Sequence, residues 1–199
     1  MSAARFFRPF FDLVDASPAM REHVLRELSA PHRRWHGLLH HALMLRAIRA
    51  GRHDPGTLRR LVLATLFHDI VYEPRRSYNE KASAEVARGW IGGGDREPVA
   101  ALILATKAHD LKTDPVTRAL LMADLGVLWT PSERLYAFYA RGIRAEYAHV
   151  PDEAYRAGRI AVLRDLGARL RPELPVRHAA MLDRNIGTEL AALARGEML

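Results

Sequence analysis

The 199-residue chain contains no cysteine. That excludes disulfides and thiolate metal sites, and it suits a reducing compartment, so the cytoplasm is the expected location. Long apolar runs are also missing. None approaches the roughly 20 residues needed to span a bilayer, so no membrane partner is expected. The opening stretch "MSAARFFRPFFDLVD" is interrupted early by Asp12 and Asp15 and lacks the apolar segment of a signal peptide. Aromatic residues are few, at 8%. Lysine is nearly absent, since 27 of the 30 basic residues are arginine. Strand-like alternation is rare.

What the chain does contain is apolar residues at helical spacing. Hydrophobic residues make up 49% of it, enough for a substantial core in a chain of one domain's length. The pattern predicts an all-α domain, a bundle of nine or ten helices with short connections. One helix runs from about Met20 to Ser29 and stops before Pro31. A second covers Trp35 to Ala50 and ends at Gly51. A third starts near Pro55 and continues until Pro74. A Ser77–Glu80 capping box opens a fourth, to about Trp90. The glycines at 92–94 form a turn. Asp95 and Pro98 open a fifth, through His109, and Pro115 a sixth, through Trp129. Thr130, Pro131 and Glu133 combine a cap, a proline at the first helical position and an acid at the third, for a seventh helix to about His149. Pro151 begins an eighth, to Leu170, and the last covers Val176 to Ala194. No repeat, long linker or low-complexity tract interrupts this order, so residues 1–199 read as a single domain.

The formal charge is +7, which suits an anionic partner such as RNA, DNA or a phosphorylated substrate. Arginine in place of lysine is also what a GC-rich genome writes. The basic residues are spread along the chain among 23 acids, with no basic tail and no glycine-aromatic RNA motif. This distribution disfavours a nucleic-acid surface.

Three places carry possible chemistry. In "PHRRWHGLLHHAL", His36 and His40 are four apart and share one face of the expected helix, a face that Leu43 and Ala47 continue inward. They read either as a structural pair or as a metal ligand with an acid–base group. His68–Asp69 follows an apolar approach of Leu58, Leu61, Val62, Leu63, Leu66 and Phe67. About 0.5 His-Asp pairs are expected by chance at this composition; the chain has three. His53–Asp54 lies in the turn "AGRHDPG" and reads as solvated, His109–Asp110 ends a helix, and His68–Asp69 has apolar surroundings. Asp124 sits among Leu120, Leu121, Leu125 and Leu128. An unpaired buried carboxylate costs on the order of several kcal/mol, so Asp69 and Asp124 both need a partner. A cation shared by His40, His68, Asp69 and Asp124 resolves both. His/Asp coordination suits manganese, iron, zinc, cobalt or nickel better than calcium.

The order H…HD…D on consecutive helices resembles the HD superfamily of metal-dependent phosphohydrolases. The local forms "RRWHGLLH", "FHDIVYEP", "NEKASAEVA", "MADLGVL", "IRAEYAHVP" and "GRIAVL" resemble a bacterial group of predicted HD phosphohydrolases, over a core of about residues 31–190. "WHGLLH" followed by "ADL" is also similar to cyclic-nucleotide phosphodiesterases, in which the first histidine of H-x3-H is a general acid and the second binds metal. The resemblance implies His40, His68, Asp69 and Asp124 as ligands to one or two divalent ions and His36 as the acid. It also implies Glu80 as a catalytic support and His109 near the metal. Related sequences usually read Tyr-His-Asn where this chain has Trp35, His36 and Gly37. They tend to carry an acid at the position of Met122, and "RPELPVRH" also departs from their pattern. The four ligand positions are intact.

Arg75, Arg76, Lys107 and Arg144 are candidates for holding a substrate phosphate. Each has a plainer reading: Arg75 and Arg76 as solvated loop charges, and Arg144 with Glu146 as a surface pair. Glu80 equally completes the capping box, and His109 suits a helix end, where it favours the dipole. "GGG" lacks a following Gly-Lys-Ser/Thr, which argues against a P-loop. The expected function is hydrolysis of a small phosphate ester, such as a nucleotide, by a metal-activated water. His36 protonates the leaving oxygen, and arginines offset charge. The alternative is a non-catalytic HD-fold regulatory protein that binds metal and a nucleotide. An RNA-binding helical protein and a paired-iron oxygenase are further rivals. Arginine and apolar residues on the later helices are compatible with a homo-oligomer.

Overall fold

Seven consecutive buried residues, Leu61 to Phe67, form the innermost helical stretch of the protein. A helix apolar on every side can exist only with neighbours all round it, and the rest of the first unit supplies them. The computed structural model describes residues 2–199, and its fold is all-α, with ten helices and no strand among the described residues. The backbone divides after Asp124 into two compact units, where the sequence predicts one domain. No linker marks the division, because a helix ending at Asp124 runs directly into a 3-10 segment, Leu125–Trp129.

The first unit holds α1 (Ala3–Leu13), α2 (Pro18–Leu28), α3 (Leu38–Ala50), α4 (Pro55–Phe67), α5 (Asn79–Trp90), α6 (Arg96–Ala105) and α7 (Pro115–Asp124). Helix α4 is packed by α3, α5, α6 and α7. Its one polar side chain inside the buried run, Thr65, donates to the Leu61 carbonyl at 2.8 Å, so nothing there is left unpaired. Asp54 caps its start by accepting from the Thr57 N–H at 3.0 Å, and Pro55 follows at the first helical position. Helix α1 has no counterpart in the sequence reading. It buries Phe7, Phe10 and Phe11 in the same core as α4.

Several expected boundaries shift. The helix expected from Trp35 starts at Leu38, leaving Trp35 and His36 in a turn. The helix expected to reach Pro74 ends at Phe67. Its next carbonyls are claimed from elsewhere: Arg33 donates to the Asp69 and Ile70 oxygens at 2.6 and 2.9 Å. Ser83 exchanges hydrogen bonds with both backbone groups of Val71. No Ser77–Glu80 capping box forms, because the cap position of α5 is Tyr78, with no side-chain hydrogen bond. Helix α6 ends at Ala105, and His109 lies beyond it with φ of +47°.

The second unit, Leu125–Leu199, comprises that 3-10 segment, α8 (Glu133–Glu146), α9 (Asp152–Leu170) and α10 (Val176–Ala194). The cap of α8 is Ser132, which accepts from the Leu135 N–H, and not Thr130. A buried ion pair ties these helices together. Arg159 donates through Nε and Nη2 to both oxygens of Glu189, at 2.8 and 3.1 Å, and the Tyr136 hydroxyl donates to Oε2 at 2.7 Å. Satisfied on both oxygens, a buried carboxylate becomes tolerable.

Candidate metal centre

Three helix ends in the first unit deliver side chains to one place. His40 comes from the first turn of α3, His68 from the residue closing α4, and Asp124 from the last residue of α7. One ligand atom from each lies within 4.8 Å of the others. His40 Nε2 is 3.2 Å from His68 Nε2 and 3.1 Å from Asp124 Oδ1, and His68 Nε2 is 3.8 Å from the same oxygen. Asp69 stands beside this group, with Oδ2 3.2 Å from His68 Nε2. The two histidines are buried, and the two aspartate side chains are only 12% and 15% exposed.

The tautomer of His68 is set by its backbone. Nδ1 faces the Thr65 carbonyl at 3.0 Å and must donate to it. In the neutral ring, Nε2 therefore carries the lone pair and faces two carboxylates and another imidazole. Four Lewis-basic groups crowded together in a buried place repel one another unless a positive charge joins them. Protons supply part of that charge. Burial opposes charge on His68, but Asp69 and Asp124 outweigh it and push its pKa up to about 9. Both aspartates are held below the usual carboxylate range: burial acts against this, and His68 overcomes it at Asp69, while His109 and His40 overcome it at Asp124. Burial keeps His40 below its ordinary value despite Asp124. Two carboxylates and one imidazolium leave one negative charge over. A divalent ion replacing the His68 proton balances the site, and the His/Asp donor set fits such an ion.

His109 takes the other side of the Asp124 carboxylate, donating from Nε2 to Oδ2 at 2.9 Å. It thus reaches the cluster only through Asp124, outside the group of three whose ligand atoms meet. His36 is also near, with its ring centroid 5.6 Å from that of His40. It is not one turn away on the same helix, since it sits in the turn before α3. Gly37 makes that turn, donating its N–H to the Trp35 oxygen at 2.7 Å. A side chain at 37 would place its Cβ 2.9 Å from the Leu28 carbonyl oxygen.

The other expected site residues are more scattered. Glu80 is half-buried in the first turn of α5, and among the described residues no hydrogen bond or ion pair links it to the cluster. Arg75 and Arg76 are exposed on the loop after Asp69, with the Arg76 guanidinium over the Tyr78 ring. Lys107 is exposed and donates to the Ser77 carbonyl at 2.6 Å. Arg144 belongs to the second unit. There it donates to the Tyr147 and Val150 carbonyls, pairs with Asp152 at 2.6 Å and lies over the Tyr155 ring. This makes it a closing group for the α8–α9 connection.

Three residues beside the cluster escape a reading of sequence. His41 is fully buried with its ring 4.7 Å from that of His68. Its Nδ1 donates to the Gly37 carbonyl at 2.9 Å, and burial holds it neutral. Tyr72 stacks on His36 at 4.4 Å, and Arg33 reaches into both turns. Only the "HH" dipeptide gave any sign of this, and its second member falls outside the H-x3-H spacing. Compared with known proteins, the chain matches no family model, no curated protein and no solved structure. No helix is long and apolar enough to cross a membrane among the described residues.

Proposed function

We propose that the protein is an HD-type, metal-dependent phosphohydrolase acting on a small phosphate ester, with a nucleotide as the best-fitting class. The observation that carries this reading is the meeting of His40, His68 and Asp124 ligand atoms within 4.8 Å of one another, with the His36 imidazole alongside. His40, His68 and Asp124 would hold the ion, with Asp69 adjoining. Such an ion supplies Lewis acidity and an activated water for attack at phosphorus. His36, half-buried and outside the ligand group, gives the leaving oxygen its proton. Arg75, Arg76 and Lys107 lie on the exposed segments flanking α5 and α6, where they favour approach of an anion.

Elemental analysis of protein purified without a polyhistidine tag tests the ion first. Phosphomonoesters, phosphodiesters and nucleotides are then screened with added manganese. The expected result is turnover that His36→Ala removes while metal content stays. Metal binding without turnover of any substrate would favour the non-catalytic regulatory reading. Absence of metal from Asp124→Ala and native protein alike would sink both.

A further inference from the structure

Arg33 bridges the two turns that border the cluster. Its Nη1 donates to the carbonyl oxygens of His36 at 2.9 Å and Asp69 at 2.6 Å, and its Nη2 donates to that of Ile70 at 2.9 Å. The guanidinium carbon lies 5.6 Å from the centroid of the Tyr72 ring. That ring stacks on the His36 imidazole, with centroids 4.4 Å apart and planes 28° apart. The Tyr72 carbonyl in turn faces His32 Nε2 at 3.3 Å. A planar fork with several fixed donors can hold carbonyls from two chain segments together; an ammonium group is a single point and holds them less rigidly.

We propose that Arg33 and Tyr72 are positioning residues for His36. Arg33 fixes the turn that carries His36 against the turn that carries His68 and Asp69. Tyr72 fixes the plane of the imidazole. Neither belongs to the group of three whose ligand atoms meet. The need for them follows from Gly37, which puts His36 outside α3 and so deprives it of a helix to hold it. The inference rests on the reading of His36 as the proton donor.

The experiment compares native protein with Tyr72→Leu, Tyr72→Phe and Arg33→Lys, metal-free and zinc-loaded. The His36 ring-proton resonance, assigned by its loss in His36→Gln, is followed by NMR alongside zinc content and steady-state kinetics. Native protein and Tyr72→Phe are expected to share an upfield, ring-current-shifted signal, which Tyr72→Leu loses and Arg33→Lys broadens or splits. Zinc content stays unchanged. For a phosphate ester that the native protein hydrolyses, kcat falls about 10- to 100-fold in Tyr72→Leu with KM held, and recovers in Tyr72→Phe. An unmoved His36 signal in Tyr72→Leu overturns the proposal. So does zinc loss in that variant, or a moved signal with native kcat. If the native protein hydrolyses no phosphate ester, the phosphohydrolase reading fails, and the NMR comparison by itself decides whether the clamp exists. Should Tyr72→Leu not fold, Tyr72→Met takes its place.

Discussion

His109 Nε2 lies 2.9 Å from Asp124 Oδ2, the carboxylate oxygen that His40 does not face. One aspartate is thereby held between two imidazoles, with Oδ1 toward the ligand group and Oδ2 toward a support. Partners behind a metal ligand typically tune affinity about 10- to 100-fold without changing stoichiometry. Asp124→Ala is therefore expected to abolish metal retention. His109→Ala should weaken binding by that factor and keep the same ion count at saturation, measured by chelator competition and elemental analysis. An equal loss in both variants would make His109 a ligand itself.

Adjacent histidines should behave in opposite ways. His40→Phe removes an atom from the ligand group and is expected to lose the metal. His41→Phe removes a neutral, fully buried ring whose Nε2 has no hydrogen-bond partner among the described residues. The Gly37 carbonyl that His41 Nδ1 bonds still receives the N–H of residue 41 at 3.2 Å. Replacing an unsatisfied polar atom by an apolar one is close to neutral, so His41→Phe should keep both metal content and thermal midpoint.

An ion held by this group would compete with the proton on His68. In the folded, metal-free protein its pKa is about 9, above the roughly 6.5 of an unfolded histidine. A raised folded value contributes stability that is fully present below about pH 6.5 and is lost as pH rises through about 9. The thermal midpoint of metal-free protein should therefore fall across that window, while metal-loaded protein should not show this loss. Metal uptake at pH 7 should release close to one proton, read by calorimetry in buffers of different ionisation enthalpy. Uptake with no proton release would contradict the assignment of His68 as a ligand.

In the second unit, Glu189 balances the buried Arg159 guanidinium. Glu189→Ala strands that charge and should cost about 3–5 kcal/mol in urea denaturation of the full chain. Tyr136→Phe removes one charge-assisted hydrogen bond and should cost about 1.5–3 kcal/mol. The double change Arg159→Met with Glu189→Leu should recover most of the loss, because a packed apolar pair of similar volume carries no desolvation penalty.

Helix positions that depend on apolar period were legible in the sequence. The span Val176–Ala194 appears as read, and α9 differs by one residue at its start. The gathering of His40, His68 and Asp124 could be anticipated because an aspartate among leucines, or at the end of a buried helix, needs a partner. Features decided by distant groups were not legible. Helix α1 carries Pro9 in its interior, which argues against a helix locally; burial of its phenylalanines overrides that. The end of α4 is set by Arg33 from another segment, and the position of His36 by a close approach to α2. His109 has left-handed backbone geometry, which histidine adopts more readily than most residues but which no spacing predicts.

Gly37 carries a consequence for any larger side chain at its position. Its φ of −124° is open to any residue, so the obstacle to a larger side chain is contact with the Leu28 carbonyl, not torsion. Asparagine at this position is thus closed unless the end of α2 withdraws, and the turn bearing the proposed acid would move with it. The turn is in this sense locked by a missing side chain: any substituent at 37 would dislodge the imidazole beside it before adding a contact of its own.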